Sequence, residues 1–189
     1  LYDIMITTRF NYWYVPNYEQ SGFRQGQSCL FQLFMLIIMI NYSFEKNKEL
    51  FVGFLDFEKA FDYVNRTELI RELMKNGCGK NLTSAITKML QRSTYHPKIS
   101  NNQLSKGIDS KFGVTQGRQS SGNLFSFYVS DMPSALEESD TNDFMDPLNI
   151  GQLADDTATY AGSWLNLEKK FQSLFEYSNK KYQVPKVKK

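Results

Sequence analysis

The sequence contains few of the residues on which disulfide-linked and zinc-binding domains depend. It has two cysteines and one histidine in 189 residues. A structural zinc site takes about four ligands, so a site built from Cys and His is excluded. A disulfide scaffold is excluded as well, and no disulfide partner is expected. Cys29 and Cys78 are far apart in the sequence, which indicates a reducing compartment, the cytoplasm or the nucleus.

Long hydrophobic runs and an excess of one charge are also missing. The most apolar stretch, residues 30–40, is about half of the ~20 residues that span a bilayer. It therefore predicts a buried helix, and no membrane partner is expected. Lys and Arg total 22 against 20 Asp and Glu, a net charge of +2. This charge is too small to indicate nucleic-acid binding, so a basic footprint would have to be local.

The composition that remains is that of a folded domain, with 41% hydrophobic and 15% aromatic residues. Apolar periodicity predicts helices and short strands without a strict alternating repeat, which indicates an α+β fold. The predicted helices cover 1–15, 29–43, 82–91, 124–136 and 164–182, with one or two more within 58–76. The predicted strands are 51–57, a hairpin around Asn101-Asn102, and a strand–turn–strand over 149–162 with Asp155-Asp156 at the turn.

Asp56 is an unusual residue for its surroundings. It stands near the end of the apolar strand FVGFLDF, where an unpaired carboxylate is unfavourable. At the edge of a sheet, such a carboxylate could bind a cation. An N-cap of the following helix is an equally good interpretation of Asp56 alone.

Two further segments could carry chemistry. Asp155 and Asp156 are adjacent carboxylates between apolar flanks and would repel each other without a cation, although Asp is also common in ordinary turns. The segment 113–122 is rich in Gly and Ser and precedes a predicted helix, whose N-terminus favours anions. By itself, a loop of this kind is more often a plain connection.

Taken together, the carboxylates suggest a specific chemistry. Asp56 and the Asp155-Asp156 pair are 99 residues apart, with the glycine-rich loop between them. Hard oxygen ligands suit Mg²⁺, which keeps waters and substrate phosphates in its shell. Two such ions can bind the attacking and leaving oxygens of a phosphoryl transfer.

The order of four motifs resembles the reverse transcriptase domain of non-LTR (LINE-type) retrotransposons. The motifs are a Gln-x-Gly-Phe-Arg segment, an Asp followed by Lys-Ala-Phe-Asp, a Gly-x-x-Gln-Gly loop with its helix, and an Ala-Asp-Asp box. They correspond to residues 20–24, 54–64, 113–125 and 153–156. The resemblance implies a right-hand polymerase palm, a ferredoxin-like antiparallel sheet backed by helices. Fingers would be partial (1–50), the palm would occupy most of 51–182, and residues 183–189 would start a truncated C-terminal region without a thumb.

The resemblance also implies roles for individual residues. Asp56 and Asp155 would be the main ligands of Mg²⁺, or of Mn²⁺ as an alternative, with Asp156 beside them. Phe61 would lie under the sugar of the incoming nucleotide and exclude a ribose 2′-OH, unless it is only a core aromatic. The nucleotide and template pocket would be lined by Gln116 and Gly117, with Arg24 as a further contact.

Two residues depart from the family pattern. Leu153 replaces an aromatic residue before the Ala-Asp-Asp box, and Gly122 replaces a proline at the start of the helix. The chain begins without Met and ends in a Lys-rich stretch, which predicts a fragment of a longer reading frame. Cations for a nucleic-acid backbone could come from that stretch, although such a face is more often simply solvated; the candidates are Lys180, Lys181, Lys186, Lys188 and Lys189.

The expected function is RNA-directed DNA polymerase, which adds deoxynucleotides to a primer 3′-OH and releases pyrophosphate. Its partners would be an RNA template, a DNA primer and deoxynucleoside triphosphates. The isolated fragment would be weakly active or inactive, because it lacks a thumb. One alternative is a catalytically dead remnant that at most binds nucleic acid. Another, an RNA-copying viral polymerase, is disfavoured by Phe61 and by the Ala-Asp-Asp box.

Overall fold

A computed structural model describes residues 1–91, 94–96, 98–100, 103–109, 111–137, 143–145, 150–181 and 183–187. The helices are α1 Tyr2–Trp13, α2 Cys29–Lys46, α3 Arg66–Lys75, α4 Lys80–Gln91, α5 Gln119–Tyr128, α6 Met132–Glu137 and α7 Trp164–Lys180. The strands are β1 Phe51–Glu58, β2 Thr94–Tyr95, β3 Lys98–Ser100, β4 Gln103–Leu104, β5 Ile108–Asp109, β6 Ile150–Leu153, β7 Asp156–Ala161 and β8 Val184–Val187. Helices and strands are interleaved as expected, which confirms the α+β prediction.

The main sheet has four strands in the order β6-β7-β1-β8, and every neighbouring pair is antiparallel. Successive side chains of a strand point to opposite faces. In β1, Leu55 and Phe57 are buried, whereas Phe54 is exposed and Asp56 is half-buried. One face of the sheet therefore lies in the core. The opposite face carries Asp56 and is open around the end of β1, although α2 covers part of it near Tyr160.

Helices cover the buried face of the sheet. α7 contacts β1, β7 and β8, and the ring of Phe171 occupies the place where a Cβ of Gly53 would stand. α5 is buried on nearly all sides and contributes Leu124 and Phe125 to the same core as Leu55. This core holds β1 rigidly from behind.

The predicted helix over 124–136 is two helices that start earlier than expected. α5 begins at Gln119 because Asp3 of α1 supplies its cap: the Gln119 N–H donates to Asp3 Oδ2 (2.9 Å), and the Ser120 hydroxyl donates to Oδ1. The break before α6 follows from Pro133, which lacks the N–H that would bond to the carbonyl of Val129. Since the Asp3 carboxylate occupies the N-terminus of α5, that helix end is not the free anion site that the sequence suggested.

α2 corrects the expectation of a buried helix. Only Met39 and Ser43 are buried, while Leu30 is 70% exposed and Phe34 is 57% exposed. The helix packs along one side only, against β6 and a small cluster with Met145 and Tyr160. In the described part of the chain, α2 is the one helix whose length and apolarity would suit a membrane span. One helix of this kind near the N-terminus is weak support for a membrane protein.

Two other sequence predictions concern the separate β3-β4 pair and the edge strand β8. β3 and β4 pair antiparallel, as the predicted hairpin requires, while Asn101-Asn102 lie outside the described residues. β8, within the predicted C-terminal region, pairs with β1 in the main sheet. The division into fingers and palm stays a prediction.

Candidate active site

Two strand ends bring the predicted carboxylates together. Leu55 of β1 pairs with Thr157 of β7, so the next position of the same register places Asp56 across from Asp156. Paired residues on antiparallel strands have Cα atoms about 5 Å apart and side chains on one face. Residues 100 apart in sequence thus become neighbours on the open face of the sheet.

The turn between β6 and β7 carries Asp155. Leu153 pairs with Asp156 and closes the turn, so the two turn residues are Ala154 and Asp155. The expected turn at Asp155-Asp156 is therefore displaced by one residue, because Asp156 already belongs to β7. Ala154 has a φ of 59°, and a positive φ at the first turn residue is the pattern of a type II′ turn. Gly usually stands at that position, because a residue with a Cβ is strained at a positive φ.

The segment Gln20–Arg24 holds this turn from the side. The side-chain Oε1 of Gln20 accepts hydrogen bonds from the N–H groups of Gly22 (2.7 Å) and Ala154 (3.0 Å). Its Nε2 donates to the carbonyl of Ala154 (3.3 Å). The backbone of the segment adds two bonds to β6: Ser21 N–H to the Gln152 carbonyl (2.9 Å) and Gln152 N–H to the Glu19 carbonyl (2.8 Å).

Aromatic rings connect the same segment to the other motifs. The ring of Phe23 packs edge-on against Phe61, with centroids 6.0 Å apart, and Phe61 stacks on Phe125 at 4.8 Å. Phe23 also fills the space where a Cβ of Gly122 would stand. Gly122, which departs from the family pattern, thus gives room to Phe23, and it lies within α5 rather than loosening the start of that helix.

The glycine-rich loop lies against the end of β1. Val114 N–H donates to the Phe61 carbonyl (2.8 Å), and Gly113 N–H donates to the Val64 carbonyl (2.8 Å). Gln116 is exposed and its Nε2 donates to Asp62 Oδ1 at 3.4 Å. Gly117 is exposed with a φ of 83°. Both predicted pocket residues are therefore in an open turn next to the segment that follows Asp56.

The basic residues that were predicted to contact nucleotide or nucleic acid lie in different surroundings. Arg24 is half-buried and its Nη1 donates to the Asn17 carbonyl (3.1 Å), a bond that fixes the loop. Lys181 is only 9% exposed and pairs with Asp131 at 2.9 Å, so it does not belong to a basic footprint. Lys180 is exposed on α7. The side chains of Lys186, Lys188 and Lys189 lie outside the described residues.

The carboxylates fit a metal that brings most of its own ligands. Within the described residues, no three Asp, Glu, His or Cys side chains form a ready cluster. Asp56 and Asp155 are half-buried and Asp156 is exposed, so all three border solvent. Mg²⁺ commonly uses one or two carboxylates together with waters and phosphates, and this donor set is of that kind.

The comparison with protein families decides the identity of the fold. Residues 5–188 match the model of the family described as "Reverse transcriptase (RNA-dependent DNA polymerase)". The chain belongs to the reverse transcriptase family. The resemblance inferred from the four motifs is thereby confirmed.

Individual relatives of this reverse transcriptase domain agree. The RNA-directed DNA polymerase from mobile element jockey of Drosophila melanogaster is 32% identical over 155 residues, 79% of this chain but 16% of that protein. Two telomerase structures from Candida tropicalis have the same fold. The apo form, truncated from its C-terminal domain, has a TM-score of 0.63 at 14% identity, over 99% of this chain and 39% of that one. The complex with a fragment of telomeric RNA has a TM-score of 0.66 at 15% identity, over 98% of this chain and 33% of that one. The chain thus spans about one sixth of its curated relative and about a third of these telomerase chains.

Gln20 is the site residue that sequence reasoning missed. It was recognised as part of a motif, but only Arg24 was assigned a role from that segment. The available signal is an uncharged polar residue two positions before Gly22, a glycine around which there is no room for a Cβ. Its partner, Ala154, is 134 residues away, and no local pattern reveals such a pairing.

Proposed function

We propose that this domain is the catalytic core of an RNA-directed DNA polymerase. It adds deoxynucleotides to the 3′-OH of a DNA primer paired with an RNA template, and it releases pyrophosphate. The proposal places the reaction at the open face of the sheet, between the end of β1 and the β6–β7 turn. The free thiols of Cys29 and Cys78 accord with work in the cytoplasm or nucleus.

One observation carries this proposal: a single segment connects all the other motifs around the carboxylates. Gln20 and Gly22 contact the Asp155 turn, and Phe23 contacts both Phe61 and α5. Local folding needs no such convergence of segments that are far apart in sequence. A polymerase needs it, because metal, nucleotide and primer must meet within a few ångströms.

The metal ligands in this proposal are Asp56 and Asp155, with Asp156 adjacent. Bound Mg²⁺, or Mn²⁺, would lower the negative charge that develops on the reacting phosphate oxygens. The chain itself contributes the rigid strand under Asp56 and the turn under Asp155. Both elements are fixed by backbone pairing to β7, so the two oxygen donors are preorganised.

Phe61 is the proposed determinant of sugar selectivity. The ring is half-buried and is fixed by Phe125 on one side and Phe23 on another. A ring held in place by two others cannot move aside for an additional hydroxyl. The exposed Gln116 and Gly117 would contact the nucleotide and template beside it.

Primer extension on an RNA template tests the proposal, with the polypeptide of the complete reading frame as the enzyme. We expect Mg²⁺- or Mn²⁺-dependent incorporation of deoxynucleotides, and a loss of about 10³-fold or more on Asp155→Ala or Asp56→Ala, because charge stabilisation at the reacting phosphate is removed. Glu176→Ala, at an exposed position of α7, is the control and should leave the rate unchanged. Incorporation that survives Asp155→Ala would refute the role of that carboxylate. Primer–template binding without any metal-dependent incorporation would favour the alternative, a catalytically dead binding module.

A further inference from the structure

Gln20 contacts the metal-binding turn without belonging to it. Gln20 is 2% exposed, and both ends of its side-chain amide bind the backbone of Ala154. Two N–H groups face Oε1, and a carbonyl faces Nε2. This arrangement fixes the orientation of the amide, because a flipped amide would place its NH₂ group against two N–H donors and its oxygen against a carbonyl.

The residue that Gln20 binds is the strained one. Ala154 has a positive φ, which disfavours any residue with a Cβ by about 1–2 kcal/mol, and both of its backbone polar groups bond to the Gln20 amide. Neighbouring contacts leave the turn little freedom: Gly22 is so close that a Cβ there would lie 2.8 Å from Ala154 Cα. The next residue along the chain is Asp155.

We propose that Gln20 is a positioning residue: by holding Ala154 at a positive φ, it sets the direction in which Asp155 and Asp156 face Asp56. This inference rests on the proposed function for its catalytic consequence, though not for its structural one. Strain retained at a functional turn and offset by an outside clamp is a known means of preorganisation.

Gln32 provides a matched control. Its Nε2 donates to the Glu19 carbonyl (3.1 Å), to Ser21 Oγ (2.8 Å) and to the Gln152 carbonyl (3.1 Å). It therefore anchors the same segment to the same strand, but none of these bonds reaches the turn. If Gln20 only anchors the segment, Gln20→Met and Gln32→Met should lower Mn²⁺ affinity and kcat equally. If Gln20 positions the turn, only Gln20→Met should lower them.

The experiment measures Mn²⁺ affinity of this chain by electron paramagnetic resonance, and kcat and KM for the polypeptide of the complete reading frame. Loss of a group that orients a metal ligand typically lowers metal affinity or activity by about 10–100-fold. We expect that loss in Mn²⁺ affinity and kcat for Gln20→Met, with KM for primer–template nearly constant. Gln32→Met should change Mn²⁺ affinity and kcat by less than about threefold, even if its melting temperature falls as far as that of Gln20→Met.

A second substitution separates positioning from simple stability. Glycine accepts a positive φ without strain, so Ala154→Gly introduced into Gln20→Met should restore most of the Mn²⁺ affinity and kcat. A merely structural hydrogen bond would not be replaced in this way. Equal losses in Gln20→Met and Gln32→Met, or no rescue by Ala154→Gly, would overturn the inference.

Failure of the proposed function is distinguishable from failure of this inference. If the unsubstituted polypeptide incorporates no nucleotide, the proposed function fails, and the clamp is judged from the φ of Ala154 by NMR three-bond coupling. A φ that stays positive in Gln20→Met then refutes the clamp, and a φ that changes sign supports it. If incorporation is normal and Gln20→Met matches Gln32→Met, only the clamp fails.

Discussion

The close approach of Gly22 to the β6–β7 turn predicts a severe effect of one added methyl group. In Gly22→Ala, the new Cβ would lie 2.8 Å from the Cα of Ala154 and 2.8 Å from Gln20 Oε1, and closer still to the Ala154 nitrogen. Non-bonded carbon atoms normally sit about 3.5–4.0 Å apart. The segment and the turn would have to separate by roughly 1 Å, because the two Ala154 atoms that clash are backbone and cannot rotate away.

The expected loss follows from this overlap. Overpacking of a close-packed site costs about 1–3 kcal/mol, and a clash with backbone belongs at the upper end, so we expect about 3 kcal/mol. Gly77→Ala is the matched control, since Gly77 has a φ of 79° and open space around it. It should lose only about 1 kcal/mol, from the positive φ alone. Gly22 has no such φ, so any loss in Gly22→Ala comes from the clash and not from backbone strain at that residue.

Urea denaturation of this chain, followed by circular dichroism, measures both losses. Primer extension by the polypeptide of the complete reading frame should show that Gly22→Ala also lowers incorporation, since separation of the two segments breaks the bonds from Gln20. Equal losses of stability in the two variants would show that Gly22 and the turn are not in close contact. The inference that Gln20 holds the turn would then fail as well, because it depends on the same close contact.

Three further predictions concern other contacts. Asp131→Asn should lower the free energy of unfolding by about 2 kcal/mol, because the buried Lys181 loses its carboxylate partner. Adding Lys181→Met to this variant should recover part of the lost stability. If urea denaturation shows no recovery, the pairing of Lys181 with Asp131 is contradicted. Asp143→Asn should make the free energy of unfolding depend less on pH on the acid side. Burial raises the pKa of Asp143, but the hydrogen bonds that the carboxylate accepts, first of all from Gly162 N–H, have the larger effect and lower the pKa below the usual 3.8. Stability from that carboxylate is present above pH ~4 and is lost as the pH falls through the folded pKa, so an unchanged slope in acid denaturation would refute this account. Phe61→Val should raise ribonucleotide relative to deoxynucleotide incorporation by about 10-fold or more, and unchanged selectivity in primer extension would leave the ring a core residue only.

The elements that sequence reasoning predicted well are those with a local pattern. β1 was predicted from a short apolar run, and the β6–β7 hairpin from apolar stretches around a pair of acids. The helix predicted over 82–91 is α4, in which Ile86 and Leu90, four residues apart, are both buried. These patterns are reliable because burial on one face repeats with the period of the element itself.

The errors arose where a distant partner decides the outcome. α2 is apolar on most sides, and a local pattern predicts burial, but the sheet covers only the side of Met39. α5 starts at Gln119 because a carboxylate from α1, 116 residues earlier, caps it. The turn shifted by one residue because Asp156 pairs with Leu153.

The sequence by itself determined the family, because four motifs in fixed order carry that information wherever the chain is folded, and it also supplied the carboxylates that are proposed as metal ligands. Only the tertiary structure decided how these motifs meet. The register of β1 against β7 places Asp56 beside Asp156, and one buried amide, Gln20, holds the turn that carries Asp155. Both depend on contacts between residues more than a hundred positions apart, which arise from packing and not from local preference.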